Sequence, residues 1–288
     1  MDKNAQDIRI GTLAGASADY MRKILPHGFE SLSVTFWQKL GDCDLKKLAA
    51  EVREAIGGRD VKISTVSVFG NPLGVEAIDE ETRRGWEACI DHAHLFGSDL
   101  VTGFSGRIVG EPVDKCMPRF KEIFEPLARR AKDKGVRLAF ENCASTWNMA
   151  TIPHYWEMLF DAVPFDNIGL EWEPCHQLVA LVDPMPQIRK YGGRFFHIHG
   201  KDATVRHDVI REYGIAGPVP FAYHRTPGFG DSNWTDIISE LRLIGFEGCI
   251  DIEGWHDPIY RDELEMTGQV HALNYLKHCR GGAFVPNP

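Results

Sequence analysis

No apolar run in the 288 residues approaches the roughly 20 needed to cross a bilayer, so a membrane-spanning protein is not expected. The opening segment, MDKNAQDIRIG, lacks the basic n-region and apolar h-region of a secretory signal. Positive charge is in deficit: 32 Lys+Arg against 41 Asp+Glu give a net charge of −9 and a pI of about 5.7. A protein that coats nucleic acid needs a basic face for phosphates, so that class is set aside. The seven cysteines are odd in number and form no CxxC pair, which argues against a disulfide framework and against a zinc ribbon. Neither GxGxxG nor GxxxxGK[ST] occurs; the first strand candidate ends in Gly11-Thr12-Leu13-Ala14-Gly15. No linker or low-complexity tract interrupts the chain. What remains is the expectation of a cytoplasmic enzyme, one domain over residues 1–288, acting on a small molecule.

Hydrophobic residues make up 43% and charged residues 25%, enough apolar side chain for a large core. Short β-branched or apolar runs alternate with amphipathic stretches. The strand candidates are Ile8–Thr12, Ser31–Phe36, Val61–Val68, Asp99–Phe104, Val136–Asn142, Ile168–Glu173, Phe195–Lys201 and Cys249–Glu253. Between them, Trp86/Cys89/Ile90/Ala93, Phe120/Ile123/Phe124/Leu127 and Trp234/Ile237/Ile238/Leu241 repeat at i, i+3, i+4, i+7, the spacing of a helix with one buried face. Gly57, Gly97, Gly135, Gly192 and Gly245 are candidates for left-handed helix caps. Eight strand–helix units in a chain of this length predict a closed (β/α)8 TIM barrel. The connection from Asp202 to Asp231, about 30 residues with Gly and Pro punctuation, is expected to be a functional lid or a disordered loop.

In such a barrel, alternate residues of each strand face the interior, so polar residues at i and i+2 near a strand's C-terminal end point into the mouth. Four strands end that way: AFEN with Glu141, LEWE with Glu171 and Glu173, HIH with His197 and His199, and IDIE with Asp251 and Glu253. Carboxylates do not converge in a low-dielectric interior without compensation. A divalent cation neutralises three strand-terminal glutamates and a histidine, and a mostly oxygen donor set suits Mn²⁺, with Mg²⁺ or Co²⁺ also compatible, better than structural zinc. Taken singly, each of these residues reads as an ordinary ion pair; the joint pattern over four consecutive strands favours the metal. Glu171, His197 and Asp251 are assigned supporting ion-pair roles. Trp37 and Trp147 are expected to wall a substrate pocket. Lys201, in phase with His199, is a candidate for holding a substrate oxygen, and Asp202 for fixing the long loop. His256 is either a further acid or base or an exposed loop histidine. Cys143 and Cys175 have no adjacent positive residue to activate them.

At these residues the chain resembles the xylose isomerase-like TIM barrels, the sugar isomerase/epimerase superfamily that also holds endonuclease IV. The segments are LAFENC, GLEWEPCH, FFHIHGKDA, TPGFGDSNW and DIEGW. The resemblance implies metal ligands at Glu141, Glu173, His199 and Glu253, substrate contact at His176 and Arg225, and an acid–base pair in Glu141 and Glu253 on opposite faces of the substrate. Three departures qualify it. Glu173 stands where most relatives carry Asp. Trp147 stands where ketose 3-epimerases usually carry a second glutamate. The second and third strands end without the histidines of a trinuclear endonuclease.

The implied chemistry is proton removal beside a carbonyl, stabilised by one divalent metal acting as a Lewis acid. Returning the proton gives an isomerase or epimerase of a sugar or keto-sugar. Losing a β-substituent instead gives a lyase on a cyclic keto-sugar, such as a 3-keto-glycoside, a C-glycoside or an inosose. A non-catalytic sugar-binding barrel is the reading from a different class. The expected partner is a small sugar or keto-glycoside, lean toward unphosphorylated, with no nucleic acid and no membrane; oligomeric assembly stays open.

Overall fold

The computed structural model describes residues 7–283 and 285. In chain order the strands are β1 (Arg9–Gly15), β2 (Ser31–Trp37), β3 (Lys62–Phe69), β4 (Leu100–Gly103), β5 (Arg137–Glu141), β6 (Ile168–Trp172), β7 (Phe195–Gly200), β8 (Asp202–Val205), β9 (Ala222–Arg225) and β10 (Cys249–Ile252). The helices are α1 (Ala18–Ile24), α2 (Leu45–Ile56), α3 (Ala77–His92), α4 (Val113–Asp133), α5 (Pro153–Ala162), α6 (Pro174–Val179), α7 (Pro184–Tyr191), α8 (His207–Tyr213), α9 (Trp234–Leu243) and α10 (Glu265–Cys279). Eight strands close a (β/α)8 TIM barrel in the order β1-β10-β7-β6-β5-β4-β3-β2, with β8 and β9 forming a separate two-stranded sheet. Among the described residues, no helix is long and apolar enough to cross a membrane.

By density of contacts, one compact unit comprises Leu13–Trp172 with Arg194–Ile198, and the other comprises the remaining described residues. In the first, the helix faces read from the spacing are the buried ones: Trp86, Cys89 and Ile90 of α3, and Phe120, Phe124 and Leu127 of α4. Trp86 and Phe124 meet edge-on with centroids 5.4 Å apart, and Phe124 meets Phe140 of β5 at 4.8 Å. Burying each such ring contributes about 2–3 kcal/mol. Gly103 lets β4 approach β3: a Cβ there would lie 2.2 Å from the Val68 carbonyl oxygen. At β3 and β4 hydroxyls line the interior, with Ser67 and Thr102 hydrogen-bonded at 2.7 Å. Helix starts are fastened by side-chain acceptors, Ser17 for α1 and Asp44 for α2, which satisfy otherwise orphaned N–H groups.

In the second unit, β1 pairs with β10 in parallel register, Gly11 with Asp251. Trp234, Ile237, Ile238 and Leu241 of α9 are buried as the periodicity predicts. Two expectations are corrected here. The long connection after β7 is not a disordered loop: it is an antiparallel hairpin, β8 with β9, that carries α8 between its strands. Asp202 fixes its root, its Oδ1 accepting from the Ala203 and Ser232 amides at 2.8 and 3.0 Å and its Oδ2 from Trp234 Nε1 at 3.2 Å. Gly192 is also not a left-handed cap: it has φ −56°, and the absence of a side chain there makes room for Ile244, whose Cδ1 lies 2.0 Å from where a Cβ would stand. Gly97, Gly135 and Gly245 do take positive φ after their helices.

Candidate functional site

The C-terminal strand ends carry the polar residues as the alternation predicts. Glu141 closes β5 and is buried, while Phe140 beside it points to the helices. Glu171 of β6 lies in the lumen and is fully buried, its Oε1 2.7 Å from Nδ1 of His197. The two side chains are hydrogen-bonding partners. Glu173 follows β6 at the threshold of α6, where its extended backbone turns the chain and Pro174 opens the helix.

Around Glu173 the buried groups are dense. His199 Nδ1 lies 3.7 Å from Glu173 Oε2 and 3.4 Å from Glu253 Oε2. Lys201 Nζ donates to Glu253 Oε1 at 2.7 Å and stands 3.5 Å from Glu173 Oε1. Lys201 lies just past β7, after a turn closed by its own amide on the His199 carbonyl, and its side chain still reaches the mouth. His176, three residues after Glu173, is 3.4 Å from Glu173 Oε2. Cys175 donates its thiol to Glu173 Oε1 at 2.9 Å. Glu173, His199 and Glu253 each offer one ligand atom, all within 4.8 Å of one another and all buried. This His/Glu cluster has the composition to hold a metal ion: two carboxylates and one imidazole, a mostly hard donor set.

Electrostatics keep Glu173 and Glu253 ionised. Burial pushes Glu173 up, but His176, Lys201 and His199 outweigh it and hold the carboxyl well below its usual range. Burial likewise opposes ionisation of Glu253, and Lys201 and His199 reverse it. The Lys201 ammonium, disfavoured by burial, is stabilised by Glu253 and Glu173 and held well above the usual lysine range. Cys175 is pushed far up, first by burial and then by Glu173, which agrees with an inert thiol.

The other expected residues separate into three places. Arg225, at the end of β9, is tied by Nε to Asp257 Oδ2 at 3.2 Å. His256 lies past β10 with its side chain 65% exposed, Nδ1 3.2 Å from Lys201 Nζ. Trp37 and Trp147 meet each other, with centroids 6.3 Å apart.

Three residues escaped the sequence reading. His224, one residue before Arg225 on the hairpin, stacks edge-on against His176 at 4.9 Å, and burial, then Lys201 and His176, lower its pKa to about 4. Asp257 is buried and accepts from the amides of Thr226, Ile259 and Tyr260 at 2.7, 2.8 and 2.9 Å. Asn148 binds the Glu141 and Cys143 carbonyls at 2.7 and 2.9 Å. The available signals were the strand-like alternation of Ala-Tyr-His-Arg and the turn-forming Asp257-Pro258.

Residues 21–278 match the xylose isomerase-like TIM barrel family, and the chain belongs to it. Protein YfiH of Bacillus subtilis (strain 168) is 24% identical over 255 residues, 77% of this chain and 80% of that protein. An inosose dehydratase of Lacticaseibacillus casei is 24% identical over 215 residues, 68% of this chain and 70% of that protein. Alignments to the rhizopine catabolism protein MocC of Rhizobium meliloti and to the inosose dehydratase of Clostridium tetani span only 44% and 50% of those proteins. Among solved structures, the apo 3-keto-D-glucoside 4-epimerase YcjR from E. coli superposes with a TM-score of 0.72 at 15% identity, covering 94% of this chain and 100% of that one; the likeness is one of fold. Relatives in this superfamily are enzymes, sugar epimerases and dehydratases among them.

Proposed function

We propose that the protein is a divalent-metal-dependent isomerase or epimerase of a keto-sugar. The observation that carries this reading is the convergence of Glu173, His199 and Glu253, buried together with one cationic side chain, Lys201, beside them; Glu141 is the fourth proposed ligand. Two carboxylates against one ammonium, with Glu141 the proposed third acid, leave a surplus of negative charge that a bound cation offsets. When bound, that cation, for which Mn²⁺ is the first candidate, supplies Lewis-acid stabilisation of the charge that develops on a carbonyl oxygen.

Glu253 and Glu141 are the proposed proton carriers. An ionised carboxylate takes the proton from the carbon beside the carbonyl, and the C–H electron pair moves toward the carbonyl oxygen. Lys201 holds Glu253 Oε1 in place and keeps the group ionised and ready to accept. Delivery of a proton to the opposite face gives the epimer; delivery to the neighbouring carbon gives the isomer. His176 and Arg225 are proposed to bind substrate hydroxyls, with Arg225 oriented by Asp257. His256, at the exposed rim, and Lys201, buried beside Glu253, are proposed for the same task.

A second reading, loss of a β-substituent from the same intermediate, is favoured by the sequence relatives that bear the name inosose dehydratase. One experiment addresses both. The Mn²⁺-loaded protein is incubated in D2O with L-ribulose, an inosose and methyl 3-keto-glucoside, and followed by NMR. Exchange of the C–H beside the carbonyl is expected, lost by at least about a thousandfold in Glu253→Gln and Glu141→Gln. Exchange with a new epimer or isomer supports the first reading, and release of water or methanol supports the second. Exchange undiminished in both variants, or none with any ketone, overturns the proposal.

A further inference from the structure

The ends of β2 and β5 present apolar surface that proton transfer on a small sugar does not require. Trp37, the last residue of β2, is 64% exposed. Its backbone is nevertheless pinned. The next residue, Gln38, sits at φ 62°, a left-handed conformation that costs a side-chain-bearing residue energy. The Gln38 amide donates to the Phe69 carbonyl at 2.6 Å, and its carbonyl accepts from Thr82 Oγ1 at 2.6 Å. Gly70 packs close beneath it: a Cβ there would lie 3.1 Å from the Gln38 Cα. A strained turn held from three sides thus keeps a tryptophan in solvent.

Two more rings adjoin it, the buried Phe104 and the half-buried Trp147. Phe104, just past β4, meets Trp37 edge-on with centroids 6.3 Å apart, and Trp147 lies tilted by 38° at the same distance. Trp147 is fixed through its neighbour. The Asn148 side chain donates to the carbonyls of Glu141 and Cys143, and it accepts from the Ser105 amide and hydroxyl at 3.1 and 2.7 Å. The loop bearing Trp147 and the strand end bearing Glu141 are therefore one braced piece of chain.

We propose that Trp37, Phe104 and Trp147 form a subsite for the aromatic aglycone of a keto-glycoside whose sugar ring reacts beside Glu141. A flat apolar ring gains from area buried and from offset or edge-on stacking on such a surface. A second sugar would bring hydroxyls that need polar partners, and the three rings themselves supply no acceptors. The assignment of the reacting sugar rests on the keto-sugar chemistry proposed above; the binding of the aromatic ring does not.

The test is calorimetry on the Mn²⁺-loaded full chain with phenyl β-glucoside, methyl β-glucoside and cellobiose. The phenyl glycoside is expected to bind at least about tenfold more tightly than the other two. Trp37→Ala and Trp147→Ala should each reduce that preference to within about twofold, and Trp37→Phe should retain most of it. Equal binding of phenyl and methyl glycosides, a preference that survives both alanine variants, or tighter binding of cellobiose would overturn the subsite. Turnover of the phenyl and methyl 3-keto-glucosides separates the two proposals. If neither reacts while the phenyl preference persists, the keto-sugar chemistry fails and the aromatic subsite stands.

Discussion

Asp202→Asn is the most informative single change to the hairpin that carries His224 and Arg225. Burial raises the Asp202 carboxyl from 3.8 to about 6, only partly opposed by its hydrogen bonds from Ser232, Ala203 and Trp234. A raised carboxyl favours the protonated form in the folded state. The group's stabilising contribution is therefore complete below pH 3.8 and is lost as pH rises through about 6. At ~1.4 kcal/mol per pH unit the full swing is about 3 kcal/mol, of which roughly half falls between pH 5 and pH 8. Asparagine removes the titration. It keeps an Oδ1 acceptor for the Ala203 and Ser232 amides but turns an NH2 toward Trp234 Nε1, at a cost of about 1–3 kcal/mol at every pH. Urea unfolding of both proteins across pH 5–8 should show the variant less stable at pH 5 and the gap narrowing or reversing by pH 8. Parallel stability curves would refute the buried, proton-binding role of Asp202.

Two further predictions concern the mouth and the wall of the barrel. Lys201→Met removes the cation that holds Glu253 ionised, leaving acids buried without it. Chelator-treated variant should be destabilised by about 3–5 kcal/mol, with part recovered on adding Mn²⁺; an unchanged unfolding midpoint would contradict the ion pair's role. Gly103→Ala drives a methyl group to 2.2 Å from the Val68 carbonyl oxygen, next to Trp86. It should cost about 3 kcal/mol in urea unfolding, and a change under about 0.5 kcal/mol would show that β4 can shift freely.

The barrel was legible because two periodicities did their work separately. The i, i+3, i+4 spacing in α3, α4 and α9 marked the faces that are buried, and the period-two alternation in AFEN and IDIE marked which side chains enter the lumen. The grouping of Glu173, His199 and Glu253 followed from those strand ends together with the family resemblance. The hairpin was not legible, because Gly214, Gly217, Pro218 and Pro220 punctuate the stretch between its strands and mask the alternation that pairs Asp202 with Arg225. His224 was lost with it. Gly192 was misread because a cap and a close approach call for the same residue, and only the position of Ile244 distinguishes them.

The hairpin's two strands bond to each other and not to the barrel ladder, and the chain is moored at its root by Asp202 and at its end by Asp257. Between those moorings, the appendage can be rewritten without disturbing the parallel register beneath. On the proposed chemistry, selectivity for what enters can therefore drift by exchanging a cassette of some twenty-odd positions, while Glu141 and Glu253 stay anchored at the strand ends.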